Sequence, residues 1–277
     1  MKLAFHGATT MTSPLEKDIE ASAQAGFSGL EVWAAKADQY LVNHSMEELI
    51  ALFHTSQISP VALDAIVFIG FRGKEYPEIQ KQCEEMSTLA QAIGCPTIAV
   101  VPSPIPHHEI AWSEIVQEYV AVLRDLGEIA RPFGVKLAFE ALGFGWASVR
   151  TPRGSWEIVQ KVDLDNVGLV LDAAHFYAGG GLLDELDAIP PDKIFAFHLD
   201  DVEDLPKEAI TDGSRILPGE GVIPLDAFCA KLKAIGYNGH CSIELFRPEY
   251  WGQDPLDVAR RAKAAAVKIL SPHFSLE

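Results

Sequence analysis

Eight short apolar runs recur along the chain, each followed by a longer stretch of helical periodicity, and this alternation narrows the fold most. The runs are KLAFH (2–6), GLEVW (29–33), PVALDAIVF (60–68), TIAVV (97–101), VKLAFE (135–140), VGLVLD (167–172), IFAFHL (194–199) and HCSIEL (240–245). The periodicity predicts helices over roughly 14–26, 45–56, 74–93, 109–132, 153–162, 182–188, 224–235 and 255–270. Several runs are apolar at nearly every position, as strands are when both faces of a parallel sheet are covered. The punctuation agrees. Ser13-Pro14 can open the first helix, and Asn43 or Ser45 the second, with Glu48 placed three residues after Ser45 as in a capping box. Gly26, Gly94, Gly134 and Gly236 each stand between a helix and the next strand, where a left-handed cap favours glycine.

Eight strand–helix units in 277 residues leave about 35 residues for each. That favours a closed (β/α)8 barrel over an open doubly wound sheet. Length alone suggests about two domains. No Pro/Ser/Gly-rich linker or charge block offers a place to divide the chain, so one domain over 1–277 is expected. Hydrophobic residues make up 48% and charged residues 22%, as in a folded protein rather than a disordered one. The 22 basic and 39 acidic residues sum to −17, a charge that repels nucleic-acid phosphates and anionic lipid. Neither nucleic acid nor membrane is therefore expected as a partner. Cys83, Cys95, Cys229 and Cys241 form no C-x-x-C pair and read as buried, reduced thiols. No apolar run approaches the length of a membrane span, and MKLAFHGATT is too poor in apolar residues for a signal peptide. The expected compartment is the cytoplasm.

In such a barrel, polar residues at the C-terminal ends of strands face the active site. Strand five ends in Glu140, strand six in Asp172, strand seven carries His198 and strand eight carries Glu244. Each alone reads as a cap or a core histidine. Together they set three carboxylates and an imidazole at one end of four neighbouring strands. Carboxylates that close repel one another and resist desolvation unless a cation joins them. One divalent cation is therefore expected. The donor set suits Mn2+, Zn2+, Mg2+ or Co2+ and does not choose among them. His6, Glu31 and Asp64 lie at or near the ends of strands one to three, where they either bind substrate hydroxyls or cap and support. Trp33, Phe68 and Trp146 either wall the pocket or pack the core. His107-His108, in PSPIPHHE, read as an exposed loop pair.

The segments NVGLVLDAAHF (166–176), FHLDDVEDLP (197–206), ITDGSRILPGEG (210–221) and SIELFRPEYW (242–251) resemble the xylose-isomerase-like TIM barrels of the sugar phosphate isomerase/epimerase group. The likeness runs over essentially the whole chain. The last segment, with Arg-Pro-Glu-Tyr soon after the strand-eight glutamate, points to the subgroup that isomerises keto-inositols. The resemblance implies that Glu140, Asp172, His198 and Glu244 hold the cation and that Glu140 and Glu244 double as an acid/base pair. It implies that His175 binds substrate. Arg215 lies where related epimerases place a substrate-contacting arginine, and Arg247 is a second such candidate; either is otherwise a surface ion-pair partner. PGEG (218–221) reads as a turn, because no P-loop or basic cluster accompanies it.

The activity so implied is conversion of 2-keto-myo-inositol to 1-keto-D-chiro-inositol, a small polyhydroxy ketone, by proton transfer through a cis-enediol. The rivals on the same four residues are a ketose 3-epimerase and a 3-dehydroshikimate dehydratase. Phosphodiester hydrolysis, also known on this fold, calls for several metals and a basic rim, against which the charge of −17 stands. A non-catalytic sugar-binding barrel has no use for an intact four-ligand set. Members of the group often form homo-oligomers, but no diagnostic interface is visible in the sequence.

Overall fold

The computed structural model describes residues 1–106 and 109–277, so the pair His107-His108 lies outside the described residues. Eight parallel strands close into a barrel: β1 (Lys2–His6), β2 (Gly29–Trp33), β3 (Ser59–Ile66), β4 (Thr97–Val100), β5 (Lys136–Glu140), β6 (Val167–Asp172), β7 (Ile194–His198) and β10 (His240–Ile243). Between β7 and β10, β8 (Asp201–Val202) and β9 (Arg215–Ile216) form a small antiparallel sheet. The barrel order is β1-β10-β7-β6-β5-β4-β3-β2. The helices are α1 (Leu15–Ala25), α2 (Ala34–Leu41), α3 (Met46–Ser56), α4 (Tyr76–Ile93), α5 (Trp112–Ala130), α6 (Pro152–Val162), α7 (Ala173–Gly179), α8 (Leu225–Ile235), α9 (Pro248–Trp251) and α10 (Pro255–Leu270).

Local chemistry explains most boundaries. Ser45 and Glu48 form the expected capping box at α3. Thr151 caps α6 and Asp254 caps α10, each followed by a proline suited to the first helical turn. Gly26 and Gly236 end α1 and α8 at φ of 80° and 88°, values costly for other residues.

Strand phase then aims the side chains. Along β5, Leu137 and Phe139 join the large core shared with the helices, whereas Ala138 and Glu140 take the other face. Along β6, Leu169 and Leu171 go to the helices, and Val170 and Asp172 to the barrel interior. A residue that ends a strand in the interior phase has nowhere to point but the C-terminal mouth.

Several boundaries differ from expectation. Strand three stops at Ile66, because Phe68 takes a left-handed φ of 58° and turns the chain out of the sheet. Strand eight stops at Ile243, leaving Glu244 as the next residue. The stretch 182–188 is a 3-10 helix, Leu183–Ala188, and the α-helix after β6 starts directly at Ala173 with Asp172 as its cap. Helix α2 has no capping side chain and escaped the sequence reading. All four cysteines are buried and free, with Cys83, Cys95 and Cys229 pushed up to about 12 by burial. Among the described residues, no helix is long and apolar enough to cross a membrane.

Candidate metal centre

The four strand-end residues meet. Glu140, Asp172, His198 and Glu244 are all buried, and each offers one donor atom within 4.8 Å of the others. His198 Nδ1 lies 3.2 Å from Glu140 Oε1, 3.1 Å from Glu244 Oε2 and 3.8 Å from Asp172 Oδ2. Ligands at about 2.0–2.2 Å from one cation stand about 2.8–3.6 Å apart in tetrahedral or octahedral geometry. Two of the three separations fall in that range and the third lies just beyond it, so the residues fit a divalent cation.

Glu31 completes the arrangement from behind. Its carboxylate accepts from His198 Nε2 at 3.1 and 3.2 Å, which leaves the Nδ1 lone pair facing the three other donors. Burial alone would raise the Glu31 pKa, but the His198 and His6 rings outweigh it and hold it down to about 2. Glu31 therefore orients the imidazole, a role beyond the hydroxyl binding or capping expected of it.

His6 is a second departure. Its Nδ1 accepts from the Ala8 amide at 3.0 Å, so Nε2 carries the proton; it lies 3.2 Å from Glu244 Oε1 and 3.4 Å from Asp64 Oδ2 without a hydrogen bond to either. The ring has no exposed surface and does not line the cavity. It lies against Glu244, outside the cavity lining. Burial lowers its pKa, yet the Glu244 and Glu31 charges and the Asp64 carboxylate raise it overall.

Above the donors opens a cavity of 210 Å3. Asp64, Glu140, His175, Asp212, Arg215 and Glu244 provide its polar surface; Trp33, Phe68, Phe144, Trp146 and Phe246 wall it. Trp33 meets Phe246 edge-on at 5.5 Å, and Phe68 meets Trp146 edge-on at 5.9 Å. Trp33, Phe68 and Trp146 thus face the cavity. Clefts of 670 and 490 Å3 exist elsewhere, but neither contains such a donor set.

Arg215 is fully buried, not a surface ion pair. Its Nη1 contacts Asp172 Oδ2 (2.7 Å), Asp200 Oδ2 (2.8 Å) and Glu244 Oε2, and its Nη2 reaches His175 Nε2 (3.0 Å). Arginine cannot accept, so His175 Nε2 is the acceptor and Nδ1 holds the proton. That Nδ1 is buried without a protein partner in a residue that lines the cavity. Burial, with the Arg215 charge adding, lowers the His175 pKa and keeps the ring neutral, a ready donor to a substrate oxygen.

Arg247, expected beside the substrate, goes elsewhere. Its guanidinium pairs with Glu203 (3.0 Å) and Glu249 (3.3 Å), and it does not line the cavity. Nearby acidic residues from the hairpin and from α9 draw it to the rim.

Sequence reading missed Asp200 and Asp201. Asp200 accepts from the Ala174 amide at 2.8 Å and faces Arg215, tying the start of α7 to the guanidinium. Asp201 accepts from the amides of Val202, Gly219, Gly221 and Ile223 at 2.9–3.0 Å. The glycines of PGEG therefore donate to an internal carboxylate, in keeping with a turn and not a phosphate cradle. The signal was the Asp-Asp pair after His198, legible only once the later loop is folded onto it.

The carboxylates are pushed apart in acidity. Burial raises Glu140 to about 8, with Glu244 and Asp172 adding to the rise and His198 opposing it. Burial also pushes Glu244 upward, but His198, Arg215 and His6 outweigh it and hold the group well below its usual range. In the cation-free cluster the two glutamates are thus pushed in opposite directions.

A sequence model of the xylose isomerase-like TIM barrel family matches residues 19–267. The chain belongs to that family. It is 40% identical over 280 residues to an inosose isomerase of Halalkalibacterium halodurans, covering 100% of this chain and 99% of that protein. It is 39% identical over 279 residues to an inosose isomerase of Bacillus subtilis, covering 100% of both. Among solved structures, IolI protein with a bound zinc atom superposes with a TM-score of 0.96 at 39% identity, over 99% of this chain and 100% of that one. The family barrel therefore stands on both sequence and structure, and the expected likeness to inosose isomerases on the full-length sequence relatives.

Proposed function

We propose that this chain is a divalent-cation-dependent isomerase that converts 2-keto-myo-inositol to 1-keto-D-chiro-inositol. The observation that supports the reaction class is the cluster of Glu140, Asp172, His198 and Glu244 beneath one small cavity. The substrate class rests on full-length relatives named inosose isomerase. A cation held by the four side chains would polarise a substrate carbonyl and acidify the neighbouring C–H.

The protein's own groups do the rest. Glu244, held ionised by His198, Arg215 and His6, is the base that takes the α-proton. Glu244 returns a proton to the adjacent carbon, and Glu140 carries the hydroxyl proton of the first carbon to the former carbonyl oxygen, so the carbonyl moves by one carbon. The neutral His175 donates its Nδ1 proton in a hydrogen bond to substrate oxygen. The aromatic walls exclude water and meet the C–H faces of the ring.

The dehydratase reading keeps one specific support: a 3-dehydroshikimate dehydratase of Pseudomonas aeruginosa is 26% identical over 86% of this chain, although the match spans only 37% of that protein. The deciding experiment incubates cation-loaded protein in D2O with 2-keto-myo-inositol, a ketohexose and 3-dehydroshikimate in turn. Isomerised keto-inositol carrying solvent deuterium is expected. An ultraviolet-absorbing aromatic product from 3-dehydroshikimate would instead establish the dehydratase, and inversion at carbon 3 of the ketose the epimerase. Glu140→Gln should lower kcat by at least about 100-fold, the lower end of general acid–base contributions; near-normal turnover would remove Glu140 from the mechanism.

A further inference from the structure

We propose that Tyr119, on the outer helix α5, is a positioning residue for substrate, because its hydroxyl locks together the loops that build the aromatic wall of the cavity. The inference rests on the reading that this cavity is the active site.

Tyr119 has no exposed surface and does not line the cavity. Its hydroxyl accepts from the Ser103 amide at 2.7 Å. It lies 2.7 Å from Ser148 Oγ, whose own proton goes to the Ser103 carbonyl at 2.6 Å, so Tyr119 is the donor to Ser148. Ser103 Oγ donates in turn to the Gly70 carbonyl. The network is closed: each hydroxyl both donates and accepts or has its donor satisfied, and it links the loops after β3, β4 and β5. The β3 loop also lies directly on the ring. A Cβ on Gly70 would stand 2.6–2.8 Å from Tyr119 ring and hydroxyl atoms, and Phe71 packs edge-on against the ring at 5.8 Å. The neighbouring residue Glu118 accepts from the Phe71 amide at 2.6 Å.

That loop needs holding. Phe68 and Phe71 take φ of 58° and 57°, a left-handed conformation uncommon for bulky side chains and kept only where the surroundings enforce it. The three loops supply Val67, Phe68, Val101, Phe144 and Trp146 to the cavity. In the barrel order, β3 lies across from β7 and β4 across from β10. The part of the wall from the β3 and β4 loops therefore sits across the barrel from His198 and Glu244 and sets how far substrate stands from them. Phe144 also meets His175 edge-on at 4.8 Å.

The test pairs Tyr119→Phe, which keeps the ring, with two readouts. Amide hydrogen exchange should quicken by at least about tenfold in 67–72, 101–105 and 144–149, and stay unchanged in β6 and β7. KM for the keto-inositol should rise about tenfold while kcat stays within about threefold, the mark of lost binding without lost chemistry. Unchanged exchange in the three segments, or an unchanged KM in active enzyme, would overturn the proposal. If Tyr119→Phe does not fold, Ser148→Ala removes the acceptor of the same proton and must loosen the same segments; uniform loosening of the whole chain counts against Tyr119. The exchange readout needs no substrate. A wild-type protein inert towards keto-inositols would sink the proposed reaction and with it the substrate-positioning role, and exchange alone would still decide whether Tyr119 locks the three loops.

Discussion

At the scale of single residues, the four donors are backed by a carboxylate that holds one of them. Glu31 fixes the His198 ring by accepting from Nε2, and no other described acceptor contacts that nitrogen. Because the Glu31 pKa is held down to about 2, its ionised form contributes stability above the unfolded carboxylate pKa, a contribution lost as pH falls towards 2. In cation-free protein, the stability gap between wild type and Glu31→Gln should shrink by about 3 kcal/mol between pH 5 and pH 2. Urea unfolding at a series of pH values checks this, and a gap independent of pH would contradict the pairing. Glu140, Asp172 and Glu244 could be picked out from sequence because strand phase and fold together say where a strand-ending carboxylate points. Glu31 stood out as a strand carboxylate too, but nothing in the sequence tied it to His198, which lies 167 residues away.

At the scale of elements, the strands present chemistry and the connections aim it. The β8–β9 hairpin delivers Arg215 to Asp172, Asp200 and Glu244, and Asp201 fastens the hairpin to the 217–223 loop through three backbone amides. Asp201→Ala should cost about 1–3 kcal/mol, the penalty of leaving buried donors unsatisfied. Urea unfolding measures the loss, and amide exchange should quicken first in 217–223; a variant as stable as wild type would show that water replaces the carboxylate without loss. The long amphipathic helices and their caps were legible because the cues are local: Ser45 with Glu48, or glycine at a left-handed cap. The hairpin, α2 and α7 were not. They are short, and contacts with distant chain stabilise them more than their own periodicity does.

At the scale of the whole molecule, closing the barrel gathers buried carboxylates that one another's charge would drive apart. A cation that binds only the folded state stabilises it by mass action, about 2.7 kcal/mol at a hundred times its Kd. Exhaustive chelation should therefore abolish turnover and lower Tm by about 5–10 °C, with both restored by Mn2+ or Zn2+. Calorimetry with and without chelator measures this, and an unchanged Tm would mean that the cluster holds no cation. By itself the sequence determined the barrel and four converging strand ends, since a two-residue strand period and eight repeats are local facts that leave few topologies. Only the tertiary structure decided that Arg215 is buried while Arg247 pairs with Glu203 and Glu249, that His6 lies outside the cavity lining, and that Asp200 and Asp201 meet Arg215 and the 217–223 amides. Each of those outcomes depends on hydrogen bonds and charges brought together across the barrel, and separation along the chain does not encode them.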